Sequence, residues 1–235
     1  MKRKKYAIHP DFKMWSKFNP PLYKPLIPLI QKIMRMIFKL QKSDKDCKVE
    51  KIKIPFEKKM LPAIIYTPKQ INKDAPCLVY FHGGGFVLAG APYHYKNSRK
   101  YALGASCKVV LVDYPLAPKY QSPIPVDACY QTYKWVVENA ESFSINKNKV
   151  AVGGDSAGGN LSTTTTMKAA DNNFQTPCGQ MLLYPAIGVK TPTKSMQEFD
   201  DTPMCNSKDF EKFFGVPLKK MYGLEMKLAV LLGFA

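Results

Sequence analysis

Histidine is scarce in this chain of 235 residues. There are three, His9, His82 and His94, and none follows His94. That leaves any nucleophile beyond His94 without a histidine downstream. Long apolar runs are also missing. No stretch approaches the ~20 residues of a membrane span. Met1 to Lys5 is basic, but the mixed segment Tyr6 to Lys24 lacks the apolar stretch of a secretory signal. The six cysteines, at 47, 77, 107, 129, 178 and 205, show no C-x-x-C spacing. They read as reduced, structural thiols of a cytosolic protein, which argues against a metal site. No Gly/Ser linker, repeat or low-complexity tract divides the chain.

Acidic residues are the other shortage: 18 Asp and Glu stand against 35 Lys and Arg, a net charge of +17. The imbalance is concentrated at the start, where residues 1–60 hold seventeen Lys/Arg and five Asp/Glu, a net +12. A basic arm suggests nucleic acid or an anionic membrane. No nucleic-acid module and no aromatic–basic interleaving accompanies it, so nucleic acid is not expected as a partner. Leu26, Leu29, Ile30, Ile33, Ile37 and Leu40 fall on one helical face, with Lys32, Arg35 and Lys39 elsewhere. Such a helix can lie on a membrane surface, but a cap over a site within its own protein is the stronger reading, and peripheral membrane contact is not expected.

From residue 49 onward, strand and helix patterns alternate. Val49–Pro55 and Leu61–Thr67 read as an opening strand pair. Cys77–Phe81, Val109–Asp113, Lys149–Gly153 and Met181–Tyr184 are short, continuously apolar strands, as in a sheet buried on both faces. Helices are expected near 93–104, 126–141 and 157–170. The alternation predicts an α/β fold, a mostly parallel sheet with helices on both faces and right-handed crossovers. Catalytic groups then belong at the carboxyl ends of the strands.

Two motifs sit at such ends. Gly154-Asp155-Ser156-Ala157-Gly158 follows one strand and opens a helix, the setting of a nucleophile elbow. Its glycines let strand and helix pass closely while the turn holds Ser156 in a strained conformation. His82-Gly83-Gly84-Gly85-Phe86 leaves another strand, and its successive backbone N–H groups can face an oxyanion.

With these motifs the chain resembles the hormone-sensitive-lipase-like esterases of the α/β-hydrolase fold. Asp113-Tyr114-Pro115-Leu116-Ala117-Pro118, Pro125-Val126-Asp127, Leu183-Tyr184-Pro185 and the stretch from Thr202 to Phe213 carry the likeness further, over about residues 50–214. The resemblance implies that Ser156 is the nucleophile. It implies an oxyanion hole from the N–H groups of Gly84, Gly85 and Ala157, with His82, Gly83 and Asp155 supporting the loop. It implies a small-molecule carboxylic ester as substrate, no cofactor and no metal. It divides the chain into a basic N-terminal helical cap segment (1–48), an α/β-hydrolase core (49–214) and an atypical tail (215–235).

The chain departs from the family in three places. Pro115 stands where arginine is usual and Lys119 where an acid is usual, which puts a polar contact near the site in doubt. In the family the triad acid and histidine follow the serine, yet no histidine follows Ser156. Asp200 and Asp201 read as cap-side loop residues, not as the acid. His94 reads as a surface or capping residue on the helix after the glycine loop. The tail from Gly215, with Leu224, Leu228 and Leu231 at helical spacing, does not match the family. The expectation is a shortened member whose last strands, acid and base are missing. Its Met181–Tyr184 strand would then be an open edge prone to self-association. The alternative is an inactive hydrolase-fold protein that binds a small molecule.

Overall fold

The computed structural model describes residues 8–17, 24–186, 194–199 and 201–202. Two compact units are present, one formed by residues 20–187 and the other by residues 1–19 with 188–235. The described parts of the second are a 3-10 helix, Pro10–Lys17, and a short α-helix, Lys194–Glu198.

The first unit runs α1 (Ile27–Leu40), β1 (Cys47–Phe56), β2 (Lys59–Pro68), β3 (Ala75–Phe81), α2 (Pro92–Gly104), β4 (Lys108–Val112), α3 (Ile124–Glu138), β5 (Ile145–Asp155), α4 (Ala157–Asp171) and β6 (Gln180–Leu183). Its six strands form one sheet in the order β1-β2-β4-β3-β5-β6. β1 with β2 and β2 with β4 are antiparallel. The pairs β3–β4, β3–β5 and β5–β6 are parallel. The expected α/β architecture is therefore present, and the predicted strands and core helices agree with the observed ones to within a few residues.

The sequence patterns explain the layering. Alternate side chains of β3 serve two cores. Cys77, Val79 and Phe81 join Val110, Val112, Val150 and Val152 beneath Ala128, Tyr133 and Val136 of α3 and Leu161 of α4. Leu78 and Tyr80 join Ile64, Tyr66, Val109 and Leu111 against Tyr95 and Ala102 of α2. A strand buried on both faces must be apolar throughout, hence the continuous runs. Edge strand β1 is covered less. Lys51 and Lys53 are exposed and alternate with Ile52 and Ile54, and edge lysines discourage pairing with other chains.

Helix α1 buries only part of its apolar face, with Ile30 and Ile37 half-buried. Leu26, Leu29, Ile33 and Leu40 of the apolar face are exposed at 48–69%. The inward side is Ile27, Gln31, Met34 and Phe38. The physical reason is polar. Gln31 Nε2 donates to the carbonyls of Val87 and Ala117, each at 2.7 Å, and Arg35 Nε donates to Asp113 Oδ2 at 2.7 Å. Three hydrogen bonds, one of them charge-assisted, set the roll of the helix against the pull of its larger apolar stripe. The predicted tail helix near Leu224 lies outside the described residues.

Candidate active site

Ser156 stands at the junction of β5 and α4, half-buried at the carboxyl end of the sheet. Its backbone is at φ 51°, ψ −115°. A side chain at positive φ costs about 1–3 kcal/mol and persists only where its surroundings over-determine it. Here they do. Ser156 N–H donates to the Leu183 carbonyl at 2.9 Å, and its own carbonyl accepts from Ala186 N–H at 2.9 Å and Asn160 N–H at 3.2 Å.

The elbow glycines are required by contact. A Cβ on Gly154 would lie 2.4 Å from the Phe81 carbonyl oxygen, and one on Gly158 would lie 1.9 Å from the same atom. The turn thus presses directly on the end of β3, where the glycine loop begins.

That loop bends sharply, with Gly84 at φ 116°, Gly85 at φ 63° and Phe86 at φ 61°. Val87 and Leu88 N–H close it on the Gly84 carbonyl at 3.1 and 2.8 Å. Gly83 N–H is used internally, donating to Asp155 Oδ1 at 2.9 Å. The N–H groups of Gly84 and Gly85 have no acceptor among the described residues.

His82 is buried and its Nδ1 bonds the Gly83 carbonyl at 2.7 Å. Its ring stacks on Tyr114 at 4.4 Å, and Tyr114 Oη donates to the His82 carbonyl at 2.7 Å. Burial, aided by nearby His94, pushes the His82 pKa down to about 3.

Asp155 is the hub. Besides Gly83 it accepts from Tyr80 Oη at 2.8 Å, Tyr93 Oη at 3.2 Å and His94 Nε2 at 3.2 Å. Burial alone would raise its carboxyl. The bonds from His94, Tyr80 and Gly83 outweigh that and hold it at about 2. Burial, and then the same carboxylate, raise the phenols of Tyr80 and Tyr93.

His94 corrects one expectation. It is not a surface residue but 1% exposed, because it has two buried duties. Its Nδ1 accepts from Ala91 N–H at 2.8 Å, which caps the start of α2. The proton then sits on Nε2, facing Asp155. The capping half of the reading stands. Tyr80, Tyr93 and His94 as partners of Asp155 were missed in the sequence. Tyr80 left a trace, since a tyrosine inside a wholly apolar strand needs a partner for its hydroxyl.

Pro115 leaves Asp113 without an arginine neighbour in its own motif. Asp113 is paired with Arg35 of α1. Lys119 Nζ lies 5.3 Å over the Tyr120 ring, while Lys59 Nζ donates to Tyr120 Oη at 3.1 Å. His9 belongs to the other unit, with Asp11 Oδ2 at 3.6 Å from its Nδ1. Asp200 lies outside the described residues. Among the described residues five cysteines are free, four buried and Cys178 exposed. No helix of the described residues is long and apolar enough to cross a membrane.

The family described as alpha/beta hydrolase fold matches residues 78–230. The chain belongs to the α/β-hydrolase fold family. It is 35% identical over 153 residues to carboxylesterase NlhH of Mycobacterium tuberculosis, covering 65% of this chain and 48% of that protein. It is 33% identical over 170 residues to an arylesterase of Saccharolobus solfataricus, covering 72% of this chain and 55% of that one. Among solved structures it is similar to a hyperthermophilic esterase from Pyrobaculum calidifontis, with 33% identity, a TM-score of 0.72, and coverage of 84% and 64%. The chain thus spans about half the length of the curated relatives it matches.

Proposed function

We propose that this chain carries the acyl-accepting half of a serine carboxylic-ester hydrolase, with Ser156 as nucleophile. The supporting observation is the Gly83–Asp155 hydrogen bond, which locks the serine turn to the glycine loop. Ser156 Oγ attacks the ester carbonyl. The carbonyl oxygen becomes an oxyanion, stabilised by the N–H groups of Gly84, Gly85 and Ala157. Collapse expels the alcohol, and water later hydrolyses the acyl-serine. The esterase names of the relatives favour a carboxylic ester, and the family resemblance favours a short or medium acyl chain.

The attack also needs an acceptor for the Oγ proton. His82 Nδ1 holds the Gly83 carbonyl and Nε2 is buried without a partner among the described residues, but burial pushes its pKa down to about 3 and leaves it too weak a base. His94 is committed at both nitrogens, to Ala91 and Asp155. These 235 residues therefore turn over slowly. Loss of the histidine in other serine hydrolases costs on the order of 10⁶ in kcat, and an oxyanion hole alone leaves roughly 10³–10⁴ over water.

The test is p-nitrophenyl acetate hydrolysis by the chain and by Ser156→Ala. Slow release that falls further in the variant supports the reading. Equal rates overturn the role of Ser156. Turnover near the typical ~10 s⁻¹ of complete enzymes shows that a base is present after all. The second reading, binding without turnover, rests on the weakened basicity of buried His82 and the two engaged nitrogens of His94. It gains if Ser156→Ala binds an ester analogue as tightly as the parent chain and neither hydrolyses it.

A further inference from the structure

Helix α1 is bolted to the core on one side and apolar on the other. Gln31, Arg35 and Ile27 fix its roll, as the hydrogen bonds above show. On the outer arc, Leu26 at the helix boundary is 48% exposed, Leu29 54%, Ile33 55%, Met36 58% and Leu40 69%. Their spacing of three and four residues makes one continuous stripe. The bonds on the inner side prevent the helix from rolling to bury it. An exposed apolar stripe of this size marks an interaction surface.

Charge identifies the partner. Lys32 and Lys39 are exposed along one border of the stripe, and Lys42 is exposed just beyond its end. From Pro20 to Ser43 the sequence has five Lys/Arg and no Asp or Glu. Of these five, Arg35 is paired with Asp113. A second copy of the chain seated on the stripe would bring its own lysines against these, and like charges repel. Nucleic acid would suit the lysines but offers nothing to five large aliphatic side chains. An anionic lipid surface suits both. Its acyl boundary accepts the stripe and its headgroups accept the lysines, whose stems reach up from the apolar layer.

We propose that α1 docks this chain on anionic membrane surfaces, with Leu26, Leu29, Ile33, Met36 and Leu40 seated at the headgroup–acyl boundary. Lys32, Lys39 and Lys42 contact lipid phosphates or carboxylates. The helix lies in the interface plane and does not span it.

The experiment is flotation of the full chain with vesicles of phosphatidylcholine alone and of phosphatidylcholine carrying roughly one-third phosphatidylserine. Binding is expected to the anionic vesicles, weakened by salt. Leu29→Ser/Ile33→Ser/Met36→Ser is expected to lose at least ~tenfold in partitioning. Lys32→Glu/Lys39→Glu is expected to lose at least ~tenfold, since each cation near the surface is worth about fivefold. Circular dichroism checks that each variant is folded, and Ile33→Ser alone replaces any that is not. Equal binding to neutral vesicles, no binding, or binding indifferent to these substitutions overturns the proposal. So does a concentration-dependent dimer that the triple variant abolishes, which would assign the stripe to a second copy.

Discussion

Gly83 N–H donates to Asp155 Oδ1 at 2.9 Å across 72 residues of sequence. Asp155, the residue before Ser156, thus holds the first glycine of the His82–Phe86 loop. The loop and the serine cannot drift apart without breaking a charge-assisted bond in a buried place. Three further donors, from Tyr80, Tyr93 and His94, keep the carboxylate ionised and aimed.

Asp155→Asn tests this hub. The amide keeps the volume but removes the charge and sets an NH₂ against donors. Hydrogen bonds to a charged group are worth about 1.5–3 kcal/mol each, and partial re-pairing leaves an expected loss of about 2–4 kcal/mol. Urea denaturation measures it. A loss under about 1 kcal/mol would mean the carboxylate is not needed to hold the loop.

Two glycines give opposite predictions. Gly158→Ala places a methyl 1.9 Å from a carbonyl oxygen of β3, and backbone cannot step aside as a side chain can. The expected cost exceeds about 4 kcal/mol, seen as insoluble or unfolded protein. Gly104, the last residue of α2, has nothing within 4 Å of its would-be Cβ. Gly104→Ala should be neutral or raise stability by up to about 1 kcal/mol, because alanine favours the helix and stiffens the unfolded chain.

These contrasts show what the sequence could reveal. The strands with both faces buried, Cys77–Phe81 and Val109–Val112, announce themselves by unbroken apolar runs. The elbow and glycine loop announce themselves by residue type, since only glycine fits beside the Phe81 carbonyl. What sequence hid depends on pairing across long separations. The roll of α1 is decided by Gln31 and Arg35 meeting Val87, Ala117 and Asp113, and no periodicity encodes those partners. Helix α4 was legible despite Ser162–Thr166, a run of poor helix formers. Ser162, Thr163, Thr164 and Thr166 each return a hydroxyl to the carbonyl four residues back, and packing against α3 and β5 supplies the rest.

Arg35 and Asp113 form a pair that a double-mutant cycle can resolve. Burial raises the Asp113 carboxyl, and Arg35 lowers it in part. Arg35→Met leaves the carboxylate buried, with its other oxygen, Oδ1, already lacking a partner. The expected loss is about 2–4 kcal/mol, below the full cost of breaking a buried pair because Arg35 is 37% exposed. Adding Asp113→Asn should recover part of it, since a neutral amide is cheaper to bury. If the double variant is as unstable as the sum of the singles, the pair does not fasten α1 to the core.

Stability should fall with acid, and His82 should set where. Its pKa is about 3 in the folded protein against an ordinary 6.5. A depressed folded value means the unfolded chain takes up the proton first. The stability His82 contributes is complete above pH 6.5 and is lost as pH falls toward 3. By pH 4.5 the loss is about 2–3 kcal/mol, at roughly 1.36 kcal/mol per pH unit. Asp155, held at about 2 against 3.8, adds its own loss in the same direction below about pH 4. Asp113 acts oppositely, because its raised carboxyl is relieved by protonation as pH falls. The decisive variant is His82→Asn, whose amide can still donate to the Gly83 carbonyl but does not titrate. Its urea midpoint should change little between pH 6.5 and 4.5, where that of the parent declines. Parallel curves for the two proteins would show that the His82 ring takes up its proton as readily when folded as when unfolded.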